Sequence, residues 1–163
     1  MGRNLILAID PGPQQSAYVL YDPVGKTAEF FGKVDNDAIL DIVSSRSVFC
    51  TMAIEQIECF GKPVGAEVFS TVFWSGRFWQ SSVEVHWDSV LRRMIPRRAV
   101  KMHLCGAVAG VTDAVIRQRL IDLFGPGKDV AIGRKAAPGP LYGIKADAWQ
   151  ALALAVTCAE TKE

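Results

Sequence analysis

The segment Leu5-Ile6-Leu7-Ala8-Ile9 is apolar at every position and stops abruptly on Asp10-Pro11-Gly12-Pro13. A strand without polar alternation is buried on both faces, so it belongs at the centre of a sheet with further layers above and below. That requirement points to an α/β architecture, a sheet flanked by helices. The chain has 163 residues, 50% of them hydrophobic, which is enough for one such core, and residues 1–163 are read as a single domain.

The elements that follow fit this frame. Ser16–Tyr21 reads as a second strand, Asp22-Pro23-Val24-Gly25 as a turn and residues 27–33 as a third strand. Connections this short imply a three-strand antiparallel meander. Asp35 or Asn36 caps a predicted helix over 37–45, where Ala38, Ile39, Ile42 and Val43 share one stripe. A strand at 48–55 follows. Because its connection contains a helix, it should lie parallel to the first strand.

Further on, a helix is predicted over 65–80, with Phe69, Phe73 and Trp74 read as core. A short helix is expected over 86–94, a fifth strand over Ala99–Leu104 and an amphipathic helix over 112–124, stopped by Gly125-Pro126-Gly127. Residues 126–143, rich in glycine and proline, read as a loop before a last helix at 145–159.

Three carboxylates occupy the edges of these apolar elements. Asp10 closes the first strand, Glu55 closes Phe49-Cys50-Thr51-Met52-Ala53-Ile54-Glu55, and Asp147 sits in the first turn of the last helix. A carboxylate at the rim of a buried element is costly unless a cation compensates it. Parallel neighbours place their C-terminal ends together, which brings Glu55 near Asp10. If Asp147 joins them, the three make an oxygen-rich pocket suited to a hard divalent ion. The competing structural reading gives each acid a purely local role, with Asp10 in a turn, Glu55 at a strand end and Asp147 on a helix dipole.

Charge is distributed unevenly. Residues 1–89 carry six Lys/Arg against eleven Asp/Glu, whereas residues 90–135 carry ten against three. A basic segment in a chain of net charge +1 suggests a local face for a polyanion, the alternative being an ordinary solvated surface. No apolar run approaches the roughly 20 residues needed to cross a bilayer, and no signal-peptide pattern is visible at the start. A cytoplasmic protein is expected. Cys50, Cys59, Cys105 and Cys158 form no Cys-x-x-Cys pair and are read as reduced core residues, and His86 and His103 lack metal-ligand spacing.

The meander, the helix, the further strands and the three acids in this order resemble the RNase H-like superfamily. Within it, the chain is similar to RuvC-type Holliday junction resolvases, particularly their phage-encoded relatives. The matching segments are Ala8-Ile9-Asp10-Pro11-Gly12, Ile54-Glu55-Gln56-Ile57, Val100-Lys101 and Ala146-Asp147-Ala148-Trp149-Gln150-Ala151-Leu152-Ala153. Val100–Gly106 and Pro138–Gly143 look especially like the phage branch.

The resemblance implies a five-stranded mixed sheet of a meander plus parallel strands. It also implies a homodimer that makes paired nicks in branched DNA such as four-way junctions. It casts Asp10, Glu55 and Asp147 as catalytic ligands of two Mg²⁺ or Mn²⁺ ions about 4 Å apart, and Lys101 as a further catalytic residue that contacts a phosphate or stabilises the transition state. The family usually places a further acid a helical turn into its last helix. Here that position is Gln150, whose amide oxygen can ligate an ion but brings no charge, and Glu58 and Asp113 are candidate substitutes.

Arg92, Arg93, Arg97, Arg98 and Lys101 are candidate phosphate contacts, as are Lys62, Arg134, Lys135 and Lys145. Phe60 either stacks on an unpaired base or anchors its loop. The helix at 65–80 or that at 112–124 is expected at the dimer interface, with Trp79 and Trp87 as exposed candidates. Two other classes stay open. One is a junction-binding protein with weak or no cleavage. The other, an RNase H-like ATPase, is disfavoured because it needs a second domain with further phosphate loops.

Overall fold

The structure, a computed structural model, describes residues 4–45, 49–86 and 88–161. Its main sheet contains β1 (Ile6–Asp10), β2 (Gln15–Asp22), β3 (Thr27–Asp35), β4 (Thr51–Gln56) and β5 (Leu91–Pro96), in the order β3-β2-β1-β4-β5. The first three form the expected antiparallel meander, while β4 runs parallel to β1 and β5 parallel to β4. β1 is therefore central, as its unbroken apolar run requires.

Alternation along β1 separates two cores. Leu7 and Ile9 point to one face, where Met52, Ile54 and Leu20 meet Ile39 and Val43 of α1 (Asn36–Ser44) and Phe78 of α2 (Ala66–His86). Ile6 and Ala8 point to the other, together with Ala17, Val19 and Ala53. That second face is covered by α3 (Arg97–Cys105), α4 (Asp113–Phe124) and, after the short α5 (Lys128–Ala131), by α6 (Ala148–Glu160). The alanines on the sheet matter here, because small side chains let a helix lie close to it. Helix α6 is buried at every position from Ala148 to Cys158, which explains a sequence that is apolar all round rather than amphipathic.

The fifth strand lies at Leu91–Pro96, and residues 97–105 are helical, correcting the expected short helix at 86–94 and strand at 99–104. Val100 and Leu104 are the buried pair of α3, a helical spacing, and Gly106 at φ 71° ends it in the left-handed conformation. The strand was disguised by Arg92 and Arg93. Arg92 bonds Ser82 on the α2 side, through Nε to Oγ at 3.0 Å and Nη2 to the carbonyl at 2.7 Å. Arg93 points the other way and gives Nη1 to the carbonyls of Cys158 (2.9 Å) and Thr161 (2.8 Å), at the end of α6. Two arginines satisfied on opposite faces made a strand look like a basic helix.

Other expectations also change. Phe69 and Phe73 are exposed, not core, since α2 turns only one side to α1 and the sheet. Trp79 is packed against the core rather than exposed, and Trp87 lies outside the described residues. The 126–143 segment is more ordered than a plain loop, holding α5 and a hairpin of β6 (Gly133–Arg134) and β7 (Ala137–Pro138). Of the four cysteines only Cys158 is buried, and Cys59 is exposed. Among the described residues, no helix is long and apolar enough to cross a membrane.

Candidate active site

Strand parity aims the first two acids. Asp10 shares the side of β1 that carries Ile6 and Ala8, and Glu55 shares the side of β4 that carries Ala53, so both face the α6 layer. Ile9 pairs with Ile54 across the parallel ladder, which puts Asp10 and Glu55 at neighbouring strand ends. The turn after Asp10 is pinned from below. Ser16 Oγ donates to Asn36 Oδ1 at 2.6 Å, Asn36 Nδ2 donates to the Gly12 carbonyl at 3.0 Å, and the Gly12 amide donates to Ser16 Oγ at 3.1 Å. A Cβ on Gly12 would stand 2.2 Å from the Gln15 carbonyl oxygen, so only glycine fits this turn.

Asp147 arrives from the α6 end. Ala146 takes the left-handed conformation at φ 45°, uncommon for a residue with a Cβ, just before it. Asp147 occupies the N-cap position of α6, yet its side chain caps nothing. Its Oδ2 instead accepts from Lys33 Nζ of β3 at 2.6 Å. Asp147 thus makes no cap hydrogen bond, although its place at the start of α6 still suits the helix dipole. Lys33 carried no signal in the sequence, because its relation to Asp147 arises only from the sheet order.

The acids sense one another. Burial, then the charge of Glu55, raise Asp10 from the ordinary carboxylate range to about 7; Asp147 and Asp113 push the same way and Arg97 opposes them. Glu55 is raised as well, chiefly by burial, with Arg97 holding it back. Arg97 Nη1 donates to Glu55 Oε2 at 3.1 Å, and its Nη2 pairs with Asp113 Oδ1. Lys33 and Arg97 therefore each hold one wall of the acid set. In this arrangement no three His, Cys, Asp or Glu side chains among the described residues come close enough to enclose one ion.

Gln150 lies one turn into α6, buried, and its Oε1 has no hydrogen-bond partner. A buried acceptor left without a donor costs on the order of 1–3 kcal/mol. It lines an open cavity of about 500 Å³ together with Asp113, Lys145 and Asp147. Carboxylate and amide oxygens are ligand types that suit a hard divalent cation, whereas the soft ligands Cys and His take no part.

The basic candidates divide by position. Arg92 and Arg93 are bound within the fold by their contacts to α2 and the α6 end, and Arg97 serves the acids. Lys101, on α3 rather than on a strand, lines a cavity of about 310 Å³ with Glu55, Phe60, Arg97 and Arg98. Arg98 pairs with Glu58 at 3.1 Å and stays largely open to solvent. Phe60 is 71% exposed in the loop after β4, where Lys62 is exposed too. Arg134 and Lys135 lie exposed on the hairpin, and Lys145 is exposed just before Asp147.

No family model and no curated protein matches the chain's sequence. Among solved structures, Thermus thermophilus RuvC matches it over 94% of this chain and 92% of its own, with a TM-score of 0.64 and 17% identity. The T. thermophilus RuvC in complex with a Holliday junction substrate matches over 94% and 90%, with a TM-score of 0.55 and 15% identity. The chain has an α/β, RNase H-like fold, with the 3-2-1-4-5 mixed sheet flanked by helices as in RuvC.

Proposed function

We propose that the protein is a divalent-metal-dependent endonuclease that resolves four-way or otherwise branched DNA, of the phage-type RuvC-like kind. The observation carrying this reading is the electrostatic coupling of Asp10 to Glu55 and Asp147 beside the unpartnered oxygen of Gln150. Asp10, Glu55, Asp147 and Gln150 are the residues that would hold the ions. When bound, a pair of Mg²⁺ or Mn²⁺ ions supplies an activated water and offsets charge on the leaving oxygen.

The chain's own residues do the rest. Lys101 and Arg98 border the Glu55 side and hold phosphates, while Lys145, Arg134 and Lys135 do so on the Asp147 side. Phe60 presents a ring beside Glu55 on which a base exposed at a branch point can stack. Lys62, in the same loop, contacts the backbone near it.

Paired nicks in a two-fold symmetric junction call for two sites on one face, hence a homodimer. Of the two candidate helices, α2 has the stronger claim. Its Phe69, Val72 and Phe73 form an exposed stripe, with Arg77 stacked 4.2 Å over Trp74, whereas the large apolar residues that α4 exposes are Val115 and Leu123. Replacing Phe69 and Phe73 by Glu is expected to give a monomer in light scattering.

One observation favours a second reading, a junction binder without cleavage: the neutral Gln150 stands where the family places an acid. A labelled four-way junction incubated with and without Mg²⁺ or Mn²⁺, beside a linear duplex of the same sequence, separates the two. Metal-dependent paired nicks in the junction alone are expected. Binding without cleavage in either metal sinks the nuclease.

A further inference from the structure

We infer that Arg117 of α4 and Lys145 together form a subsite for a DNA backbone phosphate beside Asp147. The inference deepens the reading of the protein as a branched-DNA nuclease and rests on it. Both side chains line the open cavity of about 500 Å³ at the start of α6, with Asp113, Asp147 and Trp149. Each carboxylate there is already engaged by a cation from outside the cavity, Asp147 by Lys33 and Asp113 by Arg97, which Glu55 shares. Arg117 and Lys145 are exposed, and neither forms an ion pair among the described residues. Two cations without counter-ions on one rim draw an anion, and the substrate proposed for this protein is a polyanion.

Arg117 is also held in place. Its guanidinium carbon lies 4.9 Å from the centroid of the Trp149 ring, and Trp149 is fixed in the core at 5% exposure. Stacking occupies the face of the guanidinium and leaves its N–H donors, which lie in the plane of the group, for a phosphate. A side chain restrained beforehand loses less freedom on binding. Arg119, two residues further on, serves the fold instead, giving Nε to the Leu104 carbonyl at 2.9 Å. Lys145 stands two residues before Asp147, so a phosphate gripped by the two cations neighbours a carboxylate of the proposed catalytic centre. Such a phosphate flanks the one being cut, and holding it sets where the strand lies against Asp147.

The test is binding of a labelled four-way junction in EDTA across a salt series, for wild type, Arg117→Gln, Lys145→Gln and Lys26→Gln. Lys26 lies in the β2–β3 turn, at the end of the sheet away from Asp10. Arg117→Gln and Lys145→Gln are each expected to lower the salt slope by about one, while Lys26→Gln keeps the wild-type slope. A neutral methylphosphonate is then walked along one strand through the branch point. One position is expected to weaken binding by the wild type and to have no effect on Arg117→Gln, which a general loss of charge does not produce. A wild-type slope in either Arg117→Gln or Lys145→Gln, or the lack of any such position, overturns the inference and leaves junction binding itself intact. If the wild type binds no junction, the DNA reading falls, and this inference with it.

Discussion

Lys33 Nζ lies 2.6 Å from Asp147 Oδ2, joining the edge strand β3 to the start of α6 across 114 residues of sequence. Both side chains are roughly half exposed, so the pair contributes little to stability, about 0–1 kcal/mol. Its consequence is electrostatic. The Lys33 ammonium neutralises a carboxylate that the proposed metal site includes, and the hydrogen bond to Asp147 raises the Lys33 pKa above its ordinary value.

Lys33 therefore competes with the ion for Asp147. Lys33→Gln is expected to bind Mn²⁺ more tightly than wild type at low salt, with a melting temperature unchanged in EDTA. Titration calorimetry checks it, and equal affinity in the two proteins would show that Lys33 has no hold on the site.

Asp10 yields a pH dependence of definite sign. Its folded pKa, raised by burial to about 7 from 3.8, means that the native state binds more protons than the unfolded state between these values. Without metal, Asp10 thus leaves stability intact below about pH 4, erodes it as pH rises to about 7, and holds it at the reduced level above. Asp10→Asn should melt higher than wild type at pH 8 in EDTA, by about 2–4 °C for each kcal/mol relieved. That gain should vanish near pH 4. An equal gain at both pH values contradicts the assignment.

Much of this layout was legible in the chain. The uninterrupted run before Asp10 fixed the centre of the sheet, and the helix before β4 fixed its parallel pairing with β1. Parity then aimed Asp10 and Glu55 at one layer. What escaped was set by partners distant in sequence. Arg92 and Arg93 masked β5 because the carbonyls and hydroxyl that satisfy them belong to α2 and the α6 terminus. Lys33 carried no motif, since it becomes a partner of Asp147 only when β3 is placed beside the start of α6. The exposure of Phe69 and Phe73 was equally hidden, because helical spacing identifies a stripe without saying what covers it.

Arg93 and Arg98 separate fold from DNA contact. Arg93→Ala removes the donor to the Cys158 and Thr161 carbonyls and should cost on the order of 1–3 kcal/mol in urea denaturation. It should leave the salt dependence of junction binding unchanged. Arg98→Ala should do the reverse, lowering the salt slope by about one with little loss of stability. A reduced slope in Arg93→Ala would put Arg93 on the DNA face after all.

The convergence of Asp10, Glu55 and Asp147 on one catalytic centre is tested most directly by cleavage of a synthetic four-way junction in Mn²⁺. Wild type is set beside Asp10→Asn, Glu55→Gln and Asp147→Asn, with junction binding measured in parallel. The expected result is paired nicking by the wild type and its loss in all three variants, each still binding the junction. Cleavage that survives Asp10→Asn would place the chemistry elsewhere in the molecule.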